Sequence, residues 1–111
     1  MKVQFLYFEG CPTYTEAEQV LREVLAEEGI DAEVELMALT TEEYAQRLRF
    51  PGSPTFRVNG VDLFPTLRLS EFGLMCRTYM TPEGLRGTPT AAMLRNALSS
   101  VVPRSRPPDL F

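Results

Sequence analysis

The first third of the chain changes its hydrophobic period twice, and that alternation leaves few folds open. Val3, Phe5, Leu6, Tyr7 and Phe8 make a mostly apolar run of strand length, the composition of a central strand buried on both faces. Beyond a break at Gly10, Ala17, Val20, Leu21, Val24 and Leu25 recur at helical spacing, while Glu16, Glu18, Glu23, Glu27 and Glu28 fall mostly on the other faces. Gly29 supplies a left-handed helix end. Ala32, Val34 and Leu36 then alternate with Asp31, Glu33 and Glu35 as a second strand. A strand, a helix of this length and a second strand predict a right-handed crossover between parallel strands.

The rest of the sequence adds a short helix, a hairpin and a last helix. Thr40 with Glu43 three residues on is a capping box, opening a helix through Leu48 that turns Tyr44, Ala45 and Leu48 inward. Arg49-Phe50-Pro51-Gly52-Ser53-Pro54 breaks it. Thr55 to Val58 reads as a strand, Asn59-Gly60 as a two-residue hairpin turn and Val61 to Phe64 as the returning antiparallel strand. From Pro65 to Pro89 there is no clean periodicity, only turn signals at Phe72-Gly73, Pro82-Glu83-Gly84 and Arg86-Gly87, so an irregular insert is expected over about 65–88. Thr88-Pro89 opens the final helix, with Leu94, Ala97, Leu98 and Val101 on one face.

These elements predict one α/β domain over residues 1–102: a four-stranded mixed sheet flanked by helices, with the insert before the last helix. Residues 103–111, rich in Pro and Arg, read as a frayed tail. A chain of 111 residues that is 44% hydrophobic has room for one such core and no second domain. Its net charge of −4, with the basic residues scattered, argues against a nucleic-acid surface or an anionic membrane as partner. With no targeting peptide and no apolar span, the expected location is the cytoplasm.

Cysteine and histidine content narrows the chemistry. There is no histidine, which excludes a Cys-His dyad, a Ser-His-Asp triad and every histidine metal site. The two cysteines, Cys11 and Cys76, lie far apart in sequence, and a reducing cytoplasm disfavours a permanent structural disulfide.

Cys11 lies where the first strand runs into the first helix. Pro12 suits the first helical position, because its missing N–H has no partner there, and this makes Cys11 the cap; Thr13 followed by Glu16 offers a second, capping-box start. A cysteine at a helix N-terminus faces free N–H groups and the positive end of the dipole, which favours thiolate over thiol. Cys11 is therefore the candidate reactive thiol, against the plainer alternative of a small buried apolar residue. Tyr14, one turn on, is either packing or a hydrogen-bond donor to the Cys11 thiolate. Cys76 is either structural or a second thiol within reach of Cys11, acting as a resolving cysteine or as the second ligand of a soft ion such as mercury or copper(I). Arg77 is either a solvated arginine or a charge that stabilises the Cys76 thiolate. Glu9 and Asp62 rank as surface carboxylates ahead of proton donors.

With a cysteine at the first helix and Ser53-Pro54 just before the third strand, the chain resembles the thioredoxin-like superfamily. More narrowly, Phe8-Glu9-Gly10-Cys11-Pro12, Phe50-Pro51-Gly52-Ser53-Pro54-Thr55, Val58-Asn59-Gly60-Val61-Asp62 and Cys76-Arg77-Thr78-Tyr79 resemble a small bacterial group of thioredoxin-like proteins sometimes labelled alkylmercury lyase-like. The resemblance implies a cis Pro54 whose loop lies against Cys11, and a Ser53 backbone open to an extended peptide or a thiol. It departs from redox-active thioredoxins at Tyr14, where they carry the second cysteine of Cys-x-x-Cys, and from typical glutaredoxins at Gly52-Ser53-Pro54, where they carry Thr-Val-Pro.

The function expected from these features is a cofactor-free thiol protein. Cys11 attacks a disulfide or accepts an oxidant, and Cys76 or an external thiol resolves the product. Two alternatives stand beside it. One is soft-metal or organomercurial binding by Cys11 and Cys76, with or without lyase-like protonolysis. The other is a catalytically inactive scaffold that binds a peptide at the Ser53-Pro54 loop.

Overall fold

The computed structural model describes residues 1–65 and 72–101. Its centre is strand β1 (Lys2–Tyr7), whose side chains serve two cores. Val3 and Phe5 enter one, beside Ala17, Leu21, Val24, Phe56, Leu94 and Leu98; Leu6 enters the other, beside Leu39, Ala45 and Phe50. A strand needed on both faces must lie inside its sheet. β1 pairs in parallel with β2 (Glu33–Ala38) and antiparallel with β3 (Thr55–Val58), and β4 (Val61–Asp62) completes the order β2-β1-β3-β4. In this register Phe5 stands opposite Leu36 on one side and Phe56 on the other.

The helices α1 (Tyr14–Glu27) and α3 (Ala91–Val101) cover the Phe5 face, and α2 (Glu42–Arg47) covers the Leu6 face through Ala45. Leu21, Leu94 and Leu98 are wholly buried, each side chain contributing about 1.5–3 kcal/mol by its removal from water. The fold is thus α/β, with a four-stranded mixed sheet and three helices among the described residues. None of these helices is long and apolar enough to cross a membrane.

α1 takes the second of its two predicted starts, and α2 and α3 start later than the sequence predicts. α1 begins at Tyr14 with Thr13 as its cap residue, so Cys11 and Pro12 lie outside the helix. The Thr13 hydroxyl makes no cap bond, because it is engaged elsewhere. For α2 the cap is Thr41 rather than Thr40: its extended backbone lets the hydroxyl accept from Tyr44 N–H at 3.1 Å. Thr90, not Thr88, accepts from Met93 N–H at 3.1 Å to open α3. Adjacent threonines look alike in sequence, and backbone conformation selects between them.

Asn59 and Gly60 both take positive φ, 56° and 78°, as a tight turn between β3 and β4 requires. β4 stops at Asp62 instead of running to Phe64, since the Asp62 carboxylate accepts from Phe64 N–H at 2.8 Å and turns the chain. The segment read as irregular contains an antiparallel hairpin of β5 (Tyr79–Thr81) and β6 (Gly84–Arg86). Its turn is organised by Thr81, whose hydroxyl donates to Gly84 C=O at 2.7 Å and accepts from Glu83 N–H at 3.1 Å. Strands of three residues are too short to leave a period. The stretch 66–71 of the expected insert and the expected tail at 103–111 lie outside the described residues.

Candidate functional site

Cys11 closes a turn after β1, its N–H donating to Phe8 C=O at 3.0 Å. The turn carries the side chain inward, and the residue is only 1% exposed. Its Sγ lies 3.3 Å from the Thr13 hydroxyl and 3.5 Å from Ser53 C=O, which accepts from the thiol. Thr13 in turn donates to Gly87 C=O at 3.1 Å, tying the end of the β5–β6 hairpin to the cysteine turn. Gly87 must be glycine for that approach: a Cβ there would stand 2.8 Å from the Thr13 methyl.

Ser53 is the second fixed point. The loop leaving α2 reverses at Arg49 (φ 52°), and Arg57 holds it by donating to the carbonyls of Leu48 and Arg49, both at 2.8 Å. It then reaches a cis Ser53–Pro54 peptide, with Ser53 and Pro54 both buried. The Ser53 hydroxyl accepts from Phe8 N–H at 3.2 Å, which seats the loop against the end of β1. Ser53 N–H donates to Met75 C=O at 2.8 Å and Ser53 C=O accepts from Arg77 N–H at 2.9 Å, forming an isolated parallel bridge with Cys76. Gly52 permits this contact. Its φ is +130°, and a Cβ would stand 2.8 Å from the Arg77 Cβ.

The consequence is that the chain's own residues 75–77 occupy the backbone position where an extended peptide was expected. They bring Cys76 to Cys11. Both cysteines are free, and the two thiols lie near enough for each to shift the other's titration.

Arg77 and Tyr79 fasten this segment. Arg77 is not a solvated arginine: it is 7% exposed, pairs with Asp62 at 2.8 Å, donates to the Thr55 hydroxyl at 3.2 Å and to Phe64 C=O, and lies 4.6 Å over the Tyr79 ring. Its charge is therefore met by Asp62, which in turn is not a free proton donor. The Tyr79 hydroxyl donates to Pro54 C=O, and burial raises its pKa well above the ordinary phenol value. Residues on either side of the cis proline thus hold the Cys76 segment, Ser53 by its backbone and Pro54 through Tyr79.

The two thiols are made unlike. Burial pushes the Cys11 thiol up, but the hydrogen bonds its thiolate can take from the Thr13 hydroxyl, which then turns from Gly87 C=O, from the Ser53 hydroxyl, from Thr13 N–H and from the Cys76 thiol outweigh it, leaving the pKa below the usual thiol value. Cys76 moves the other way. Desolvation of its sulfur, the negative charge on Cys11 and the hydrogen bond it gives to Cys11 all raise its pKa. Of the two, Cys11 is the first to lose its proton.

Tyr14 does not join the pair. Its ring stacks on Tyr7, centroids 4.5 Å apart at 16°, because Cys11 lies outside the helix and the one-turn spacing no longer relates the two. Glu9 is exposed. The hydroxyl that serves the thiol is Thr13, which the sequence marked only as a helix start; its place two residues after the cysteine was the available signal. Among the described residues, no group of three or more Cys, Asp or Glu is arranged to hold a metal ion. Compared with known proteins, the chain matches no family model, no curated protein and no solved structure.

Proposed function

We propose that this chain is a thioredoxin-like thiol protein whose working centre is the pair Cys11 and Cys76, cycling between two thiols and one intramolecular disulfide in the reducing cytoplasm. The observation that carries this reading is the pairing of Ser53 with residues 75–77, which holds the second thiol against the first in place of a Cys-x-x-Cys. Support for the thioredoxin-like assignment comes from the β2-β1-β3-β4 order, the helices on both faces and the cis Pro54 beside the cysteine at the first helix. One lowered and one raised thiol pKa suit a pair in which one sulfur is ready as thiolate while the other carries the proton.

The test is to treat the reduced protein with excess low-molecular-weight disulfide and weigh the product. Loss of both thiols with no adduct retained, in a monomer, supports the reading. A stable adduct on either cysteine, or two thiols left unchanged, contradicts it.

Two free thiols brought near one another by the Ser53–Cys76 bridge also favour a second reading, capture of a soft ion in two-coordinate geometry. Titration with mercuric ion distinguishes it. A one-to-one complex that disappears when either cysteine is replaced by serine supports capture, and an ion bound equally by single-cysteine variants rejects it. The scaffold alternative loses ground, because the Ser53 backbone groups that an extended peptide would use are already bonded within the chain.

A further inference from the structure

We infer that Cys76, rather than Cys11, is the thiol that meets the substrate, and that the substrate is a low-molecular-weight disulfide rather than a polypeptide. The inference rests on the dithiol reading above and assigns the order of its steps.

Access decides the first part. Exchange requires a sulfur to approach another sulfur from outside, yet Cys11 is 1% exposed and enclosed by Thr13, Ser53 and Cys76. Cys76 is exposed and lines a cavity of about 510 Å³. A substrate sulfur arriving there meets Cys76 before it can reach Cys11.

The size of the substrate follows from what the neighbouring backbone has left to offer. A polypeptide bound in extended form gains most of its affinity from main-chain hydrogen bonds to an unpaired strand. Beside the cis proline those groups are spent, since both the N–H and the C=O of Ser53 are bonded to residues 75 and 77. What remains is the cavity, lined by Pro51, Phe64, Met75, Thr78 and Met93 together with Cys76, a mixed apolar and polar surface. Its volume is in the range that holds a small molecule.

The steps balance. Once the pair has lost its first proton, the one that remains is shared between the two sulfurs. As the Cys76 sulfur attacks one sulfur of the disulfide, that proton passes to Cys11; the substrate S–S bond breaks, one substrate thiolate leaves and a mixed disulfide forms on Cys76. Cys11 then gives that proton to the departed thiolate and attacks the Cys76 sulfur, expelling the second substrate thiolate. The substrate gains two electrons and becomes one thiol and one thiolate. The protein loses two electrons and holds a Cys11–Cys76 disulfide.

The experiment compares Cys11→Ser and Cys76→Ser with the unaltered chain, using 2-hydroxyethyl disulfide as the small probe and insulin as the protein probe. Cys11→Ala serves as a second variant at the buried position, and circular dichroism establishes that each variant is folded. The expected result is a mercaptoethanol adduct trapped on Cys76 of Cys11→Ser, with solvent taking the proton that Cys11 would have received. Cys76→Ser should acquire its adduct at least tenfold more slowly, and insulin should oxidise the unaltered chain at least tenfold more slowly than the small disulfide does. Adduct formation on Cys11 of Cys76→Ser as fast as on Cys76 of Cys11→Ser overturns the order of attack, and comparable rates with insulin overturn the substrate class. Either result leaves the dithiol reading intact if the unaltered chain still ends as an intramolecular disulfide. Failure of the unaltered chain to form that disulfide with either probe overturns both.

Discussion

Ser53 and Cys76 stand opposite one another in an isolated parallel bridge, bonded through the flanking Met75 C=O and Arg77 N–H. This contact joins a loop that carries a cis proline to a segment from the far side of the β3–β4 hairpin. On the proposed dithiol reading, the thiol that a Cys-x-x-Cys helix would supply from its own first turn comes instead from another part of the chain. Four sets of measurements test how it is held.

Gly52→Ala should loosen the pair. The backbone at φ +130° disfavours any side chain, and the new methyl would meet the Arg77 Cβ at 2.8 Å, so a destabilisation of about 1–3 kcal/mol is expected. Urea unfolding measures it. The same variant should form the Cys11–Cys76 disulfide more slowly than the parent, because residues 76 and 77 have to retreat from Ser53.

Thr13→Val removes a hydroxyl that can turn to donate to the Cys11 thiolate, while keeping nearly the same shape. The Cys11 thiolate should then appear at higher pH than in the unaltered chain, followed by the ultraviolet absorbance of the thiolate. Thr13→Ser should restore the original titration. An unchanged curve in Thr13→Val would separate the hydroxyl from the thiol and leave it only its bond to Gly87.

Arg77→Met and Asp62→Ala probe the fastening of the Cys76 segment. Each leaves one member of a largely buried ion pair uncompensated, at an expected loss of about 3–5 kcal/mol in unfolding free energy. Asp62→Ala should be the more damaging to disulfide formation, since an unpaired Arg77 is drawn toward water and takes its neighbour Cys76 with it. The double variant should lose less than the sum of the two singles.

Stability should depend on pH through Cys11. Its folded pKa is lowered, so its contribution is complete above the ordinary thiol pKa of about 8.5 and is lost as pH falls through the folded value. Cys76, with a raised pKa, works against this above about pH 8.5, which makes Cys76→Ser the cleaner background. Unfolding free energy of Cys76→Ser should therefore rise as pH approaches about 8.5 and then level off. Subtracting the profile of the chain with both cysteines replaced isolates the effect, and a flat difference would contradict the lowered pKa.

Where side-chain periodicity was long, the sequence carried the fold. The apolar stripe of α1, the two-faced β1, the Asn59-Gly60 turn and the break before Pro54 were legible because each rests on local geometry. The helix starts shifted by one or two residues because neighbouring threonines compete for the same role. The β5–β6 hairpin was invisible, since three-residue strands leave no period and their partners are fixed by Thr81 and Tyr79 contacts. At the site, Cys11 and Ser53-Pro54 could be singled out from position, but the burial of Arg77 could not: its partners Asp62, Thr55 and Phe64 come from β3 and the chain around β4. Tyr14 was placed near the thiol on the assumption that Cys11 starts the helix. Beginning α1 at Tyr14 removed that relation and put Thr13 in its place.

The most direct measurement is a peptide map of the protein after mild oxidation with diamide, digested with trypsin without reduction. If Ser53 holds Cys76 against Cys11, fragment 3–22 and fragment 69–77 appear as one disulfide-linked species in the monomer, and its appearance is abolished by either Cys11→Ser or Cys76→Ser. Fragments 3–22 and 69–77 recovered only as separate thiols, or linked only between molecules, would contradict the account.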